Sequence, residues 1–229
     1  MTYLKPLDKI IKYAVICFVT VSAQAAVIDH NTSITSDETW SASDTHYLGD
    51  YVFVENNATL TIEAGVTVKA YPKQGNSAPT LIISQGAKII ANGTKDNPII
   101  FTTMSDTGSN LNKSNKGLWG GLVILGKAPL NANGSTANDL PLTNQIEGVP
   151  TTFMSGGSIS SSKFTYGGTD STYNSGSLKY VSIRHGGAEL SLGNEINGLI
   201  LGGLGTGTTI EHIEVFANSD DGIEFFGGT

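Results

Sequence analysis

Two stretches of this chain, TLTIEAGVTVKA from Thr59 to Ala70 and TLIISQGAKIIA from Thr80 to Ala91, say nearly the same thing twice. Laid over each other, Leu60 meets Leu81, Ile62 meets Ile83, Gly65 meets Gly86 and Val68 meets Ile89, at an offset of 21 residues. Within a copy the apolar positions Leu60, Ile62, Val66 and Val68 recur every second residue, which is the period of a β-strand. A glycine separates the two short strands of each copy, where the chain turns with little side-chain bulk. Recurrence at a near-constant interval predicts a solenoid whose coils stack on one another. Adjacent strands lie about 4.8 Å apart, so Leu60 is expected against Leu81 and Ile62 against Ile83. The competing reading is two unrelated hairpins of a β-sandwich.

Working outward, the segment Pro98–Thr103 adds a third strand after the turn Asn92–Asn97. Three short strands per coil, joined by turns of unequal length, predict a three-sided parallel β-helix. LKYVSIRH from Leu178 aligns with IEHIEVFA from Ile210, so Val181 meets Ile213 and Ile183 meets Val215 at an offset of 32. NGLILGG from Asn197 aligns with DGIEFFGG from Asp221, so Leu199 meets Ile223 and Leu201 meets Phe225 at an offset of 24. The apolar run Leu118–Gly126 reads as a strand buried on both faces. Tyr71–Pro79 and Ser105–Lys116 are polar excursions. Ala128–Ser177 is a long, low-charge one, a length that usually signals function or disorder. Its segments 146–150 and 164–168 are expected to dock back on the coil. Ala26–Asp50, anchored by Trp40, Tyr47 and Leu48, reads as a cap and lead-in over the first coil. Tyr51–Val54 is the first clear strand, and the β-helix is expected over 51–229. The sequence runs out at Gly227-Gly228-Thr229 straight after an apolar strand, as the front part of a longer protein would.

The 229 residues are enough for one substantial domain. Charged residues make up 14%, against about 25% in an ordinary soluble domain. The exterior must therefore be built from Ser, Thr, Asn and Gly. A formal net charge of −7 argues against nucleic acid and anionic membranes as partners. Residues 1–25 read as a secretory signal peptide, with Lys5, Lys9 and Lys12 ahead of the apolar core Tyr13–Val21 and the cleavage-site pattern Ala23-Gln24-Ala25. That core is too short to span a bilayer, which takes about 20 residues. The single cysteine, Cys17, lies inside it, so the mature chain is expected to carry no disulfide. The expected location is secreted, or the periplasm or outer surface of a Gram-negative-type cell.

The phrases WGGLVILG from Trp119, LKYVSIRHGG from Leu178 and NSDDGIEFFGG from Asn218 resemble those of secreted right-handed parallel β-helix proteins of the pectate-lyase-like superfamily. They look most like a subgroup of surface and secreted proteins without a settled activity. The wider superfamily holds polysaccharide lyases, hydrolases, tailspikes and adhesins, so the resemblance implies a fold more than an activity.

Two clusters carry candidate chemistry. In Asn218-Ser219-Asp220-Asp221-Gly222-Ile223-Glu224 three carboxylates fall within five positions. The resemblance to polygalacturonases implies an acid and base there, and an inverting glycosidase needs carboxylates about 6.5–9.5 Å apart. Asp220, Asp221 and Glu224 are also open to two other readings, first a turn in which Asx side chains bond the backbone, and then a set of hard oxygen ligands for calcium. The second cluster is Ile183-Arg184-His185-Gly186-Gly187. The resemblance to lyases implies a basic residue acting beside a uronate carboxylate, a role for which Arg184 has the chemistry. If Val181 and Ile183 face inward, Arg184 faces out and His185 sits inward or at the turn as a structural histidine. The four histidines lack metal-ligand spacing. Two functions remain open: a non-catalytic extracellular protein recognising glycans or another cell surface, and a polysaccharide lyase or glycoside hydrolase using Arg184, Asp220, Asp221 and Glu224 on acidic polysaccharide.

Overall fold

The structure is a computed structural model describing residues 25–130, 142–146, 158–191 and 194–229. The expected signal peptide lies outside these residues except for Ala25. Parts of the 128–177 excursion also lie outside them. The chain is an all-β, right-handed parallel β-helix with three sides.

The strands follow in coils. β1 (Val27–His30), β2 (Glu38–Trp40) and β3 (Thr45–Leu48) come first, so the stretch 26–50 itself winds onto the coil. The next full turn is β4 (Tyr51–Val54), β5 (Thr59–Ile62) and β6 (Thr67–Ala70), followed by β7 (Thr80–Ile83), β8 (Lys88–Asn92) and β9 (Ile99–Thr103). After β10 (Leu122–Leu125) the long excursion carries the small antiparallel pair β11 (Asn144–Gln145) and β12 (Thr165–Tyr166). The coil resumes with β13 (Gly176–Arg184), and a hairpin of β14 (Glu189–Ser191) and β15 (Asn194–Glu195) leads to β16 (Leu199–Gly202). β17 (Thr209–Phe216) and β18 (Ile223–Phe226) complete the described coils.

Side 1 is the parallel stack β4-β7-β10-β16-β18. Side 2 stacks β2, β5, β8 and the first half of β13, and side 3 stacks β1, β3, β6, β9 and its second half. β13 and β17 each run over both sides, turning the corner at Tyr180 and His212, whose φ angles are +49° and +55°. The two rings stack at 4.2 Å on that corner. β13 can start against β8 only because residue 176 is glycine. Its φ is +110°, and a Cβ there would lie 1.9 Å from the Ile89 carbonyl oxygen.

The repeat that reveals the solenoid does not set its register. Leu60 pairs with Ile89 and Ile62 with Ala91, while Leu81 and Ile83 pair with Val52 and Val54. The expected stacking of Leu60 on Leu81 and of Ile62 on Ile83 as strand neighbours is not formed. Both copies are a strand, a glycine turn and a strand, with Gly65 at φ +87° and Gly86 at φ +97°. The first copy turns the corner from side 2 to side 3, and the second turns the corner from side 1 to side 2. The repeat therefore measures the spacing of similar corners, and the coil here is 29 residues, the step from Tyr51 to Thr80. The later expectations match the structure: Val181 pairs with Ile213, Ile183 with Val215, Leu199 with Ile223 and Leu201 with Phe225.

Burial explains the strand sequences. On β5 and β6 every second residue is buried, so these strands alternate between the shared core and the outside. Side 1 is different, with YVFV, TLII, LVIL and LILG buried at every position. Its inner face joins the central core through residues such as Val52, Leu81, Leu122 and Leu199. Its outer face, including Tyr51, Phe53, Ile82 and Val123, is covered by Leu130, Ile146, Ile159, Phe164 and Tyr166 from the long excursion. The segments expected to dock at 146 and 164–166 do so. Lys163 fastens this strap, pairing with Glu55 at 2.9 Å and lying 5.0 Å over the Phe53 ring.

In-register parallel neighbours bring Cα atoms within disulfide reach. In a chain carrying Cys17→Ser, the pair Thr61→Cys with Ile90→Cys is expected to crosslink on oxidation. Thr61→Cys with Ile82→Cys is expected not to, and thiol titration of the purified variants distinguishes the two registers.

Candidate functional site

Arg184 ends β13 on the outer face of side 3, half exposed. The backbone behind it is pinned: the Trp119 indole donates to the Arg184 carbonyl at 2.8 Å, and Trp119 is fully buried. Trp119 is thus a core residue. The guanidinium Nε donates to Ser182 Oγ at 2.7 Å, and another of its nitrogens meets Glu214 Oε2 at 3.3 Å. Ser182 donates in turn to Glu214. This triad follows from the 32-residue register, since Ser182 and Glu214 are β-pair partners on adjacent coils. An arginine has five N–H donors, so three remain for a ligand.

Next to it, His185 adopts φ +62° at the turn. It is buried, and its Nδ1 donates to the Asn115 carbonyl. That bond joins the turn to the excursion after β9, which folds across the side. This is the structural histidine expected from the sequence. Phe216, the β-pair partner of Arg184, lies edge-on to His185 and is 41% exposed. The same excursion brings in Asp106. Its carboxylate accepts the Gly108 amide and the Thr102 hydroxyl, both at 2.8 Å. Burial alone would push its carboxyl up. The two hydrogen bonds, helped by the charges of His185 and Lys69, outweigh that and hold it below the usual carboxylate range.

Together Asp106, Gly108, Leu111, Arg184, Glu214 and Phe216, with His185, line an open hollow of about 270 Å³. It holds one fixed cation, two carboxylates and one exposed aromatic ring. Such a set can donate to and accept from a polyhydroxyl ligand while the ring takes an apolar face.

The structure does not bring the other sequence candidates to Arg184. Asp220 and Asp221 are exposed in the turn between β17 and β18. There the Asp221 carbonyl accepts from Gly198 N and from the Asn218 side chain, at 3.1 and 2.7 Å. Both bonds are to the Asp221 main chain, and the side chain that bonds the backbone in this turn is that of Asn218. Glu224, on β18, is half buried and accepts from the Asn197 amide. None of the three lines the hollow. Among the described residues no three His, Cys, Asp or Glu are grouped to hold a metal ion. Glu214 was legible in the aligned register. Asp106 was not, because only the path of the excursion brings it to Arg184, 78 positions away.

Because Asp106 is bonded as a carboxylate, Asp106→Asn is expected to destabilise the fold at neutral pH. A depressed pKa contributes stability above the ordinary carboxylate value of 3.8, and that stability fades as pH falls through the lower folded value. Urea midpoints of the two proteins should therefore differ at pH 7 and converge toward pH 2. A constant gap would mean the charge of Asp106 is irrelevant.

Among the described residues no helix is long and apolar enough to cross a membrane. Compared with known proteins, residues 32–229 match a family model described as a pectate-lyase like beta helix domain. No curated protein and no solved structure matches the chain. The stacked parallel strands and a family match over most of the sequence agree, and the chain belongs to the pectate-lyase-like β-helix domain family.

Proposed function

We propose that this chain is an exported, non-catalytic recognition module whose side-3 hollow binds a neutral glycan, with Arg184 as anchor and Phe216 as stacking surface. The observation that carries it is the charge balance of the hollow. Arg184 is offset by Glu214, and the Asp106 carboxylate, held ionised by its hydrogen bonds, is offset by the nearby charges of Lys69 and His185. A uronate chain would find no surplus of positive charge to bind it, whereas sugar hydroxyls both donate to carboxylates and accept from guanidinium. The low charge content of the chain and the basic and apolar leader at its start support export and a neutral exterior.

The same hollow also bears on the second reading, a lyase or hydrolase of acidic polysaccharide, because Arg184 stands beside two carboxylates. Against it, Asp106 is kept in the ionised form, the wrong state for a general acid. Its bonds to Gly108 and Thr102, like those of Glu214 to Ser182 and Arg184, are internal to the fold.

A glycan array of neutral and uronate-containing polysaccharides, read alongside reducing-end and unsaturated-product release, tests both readings. Binding to neutral glycans without product is expected. Arg184→Gln should weaken it about 10- to 100-fold, the equivalent of one charge-assisted hydrogen bond of about 1.5–3 kcal/mol. Phe216→Ala should also weaken it, with Asp220→Ala and Asp221→Ala near wild type. Product release abolished by Arg184→Gln would establish the enzyme reading instead.

A further inference from the structure

At the N-terminal end of the coil the inner rows change chemistry. His46 continues the row of Val68 and Phe101, Trp40 that of Ile62, and His30 that of Leu48. All three side chains are buried. The rings form one sandwich: His30 lies 4.1 Å from Trp40, and His46 lies 5.4 Å from each of them.

Hydrogen bonds tie the rings to one another and to their surroundings. A carbonyl only accepts, so His46 Nε2 donates to Ser41 O at 3.0 Å. His30 Nε2 and His46 Nδ1 face each other at 3.1 Å, a separation that fits one N–H···N hydrogen bond. The Trp40 indole donates to Glu38 Oε1 at 2.7 Å, and His30 Nδ1 lies 3.6 Å from that oxygen. A single hydrogen therefore lies between the two facing ring nitrogens. If both imidazoles were charged, each nitrogen would carry its own hydrogen, and two N–H groups would collide in a buried site. In the unfolded chain nothing prevents both from protonating below about pH 6.5.

We propose that the His30–Trp40–His46 sandwich is an acid-sensitive latch that holds β1–β3 on the coil at neutral pH and lets them go in acid. Burial, then the like charge of His46, lowers the His30 pKa from 6.5 to about 4 against the opposing pull of Asp29. Between those two values the unfolded cap binds more protons than the folded one, so its stability falls as pH drops through this window. The charged and titratable groups facing His30 are Asp29 on its own strand, Glu38 from β2 and His46 from β3. β1 pairs only with β3 among the described strands. Release from this end therefore leaves the later coils paired, a local opening and not global unfolding.

The chain has two tryptophans, so Trp119→Phe leaves Trp40 as the only tryptophan, excited selectively over the tyrosines. Its emission is recorded from pH 7.5 to 3.5. In the unsubstituted chain, amide exchange of β1–β3 and of β7–β10 is measured over the same range and corrected for intrinsic pH dependence. The expected result is a Trp40 transition with its midpoint between pH 4 and 6.5, and exchange of β1–β3 rising at least tenfold while β7–β10 stay protected. Glu38→Gln, which keeps an acceptor for the indole, should retain the transition, and His30→Gln should remove it. Four outcomes overturn the latch: flat emission with unchanged exchange, a transition that survives His30→Gln, one that is lost in Glu38→Gln, or all strands exchanging together.

Discussion

Burial of side 1 on both faces is the constraint on which the rest of this structure depends. A parallel sheet with an apolar inner and an apolar outer face needs cover on each side. The inner cover is the coil itself, since sides 2 and 3 turn Leu60, Ile89, Val68 and Phe101 toward Val52, Leu81 and Leu122. The outer cover must be imported. The excursion after β10 supplies it, laying Phe164 edge-on to Phe53 at 5.2 Å. Gln85 is held to the turns on either side of the strap by donating to the Gly126 and Gly167 carbonyls. A length of chain that looks like a binding loop by size and composition is, in its described parts, half of a second hydrophobic core.

That arrangement moves the available chemistry elsewhere. With side 1 covered, polar side chains reach solvent from sides 2 and 3, where the alternation of β5, β6 and β8 sends every second residue outward. A hollow forms on side 3 because the excursion after β9 folds across it and is tied to the next coil through His185 and Asn115. Its walls belong to three different coils, yet each member is fixed by backbone pairing or by a short polar bond. Arg184 is aimed by Ser182 and Glu214, and Asp106 is locked by Thr102 and Gly108. Such rigidity suits recognition, since a ligand then meets groups that lose little freedom on binding.

The fold was legible for a simple reason: strand periodicity and glycine turns are local signals, and a solenoid repeats them. The alignment of Leu178–His185 on Ile210–Ala217 found the true register because both segments turn the same corner. The alignment of Thr59–Ala70 on Thr80–Ala91 missed it because a glycine turn looks alike at two different corners. The run at Leu118–Gly126 announced its double burial, although not what covers its outer face. Asp220, Asp221 and Glu224 drew attention by crowding in sequence, but a turn followed by a strand sends neighbouring side chains in different directions. The Glu214 partner of Arg184 lay within reach of the 32-residue offset.

The sequence by itself determined the class of the protein: a β-solenoid with three strands per turn, wound from alternating apolar residues and punctuated by glycines. It did so because period and turn chemistry are properties of neighbouring residues. Only the tertiary structure decided how the first coils pair, what the long excursion covers, and that Asp106 rather than Asp220 or Asp221 shares a hollow with Arg184. Those outcomes depend on how many residues each corner consumes and where each excursion returns. Both are settled by which apolar faces remain to be buried once the coil has closed, and that is a property of the whole chain.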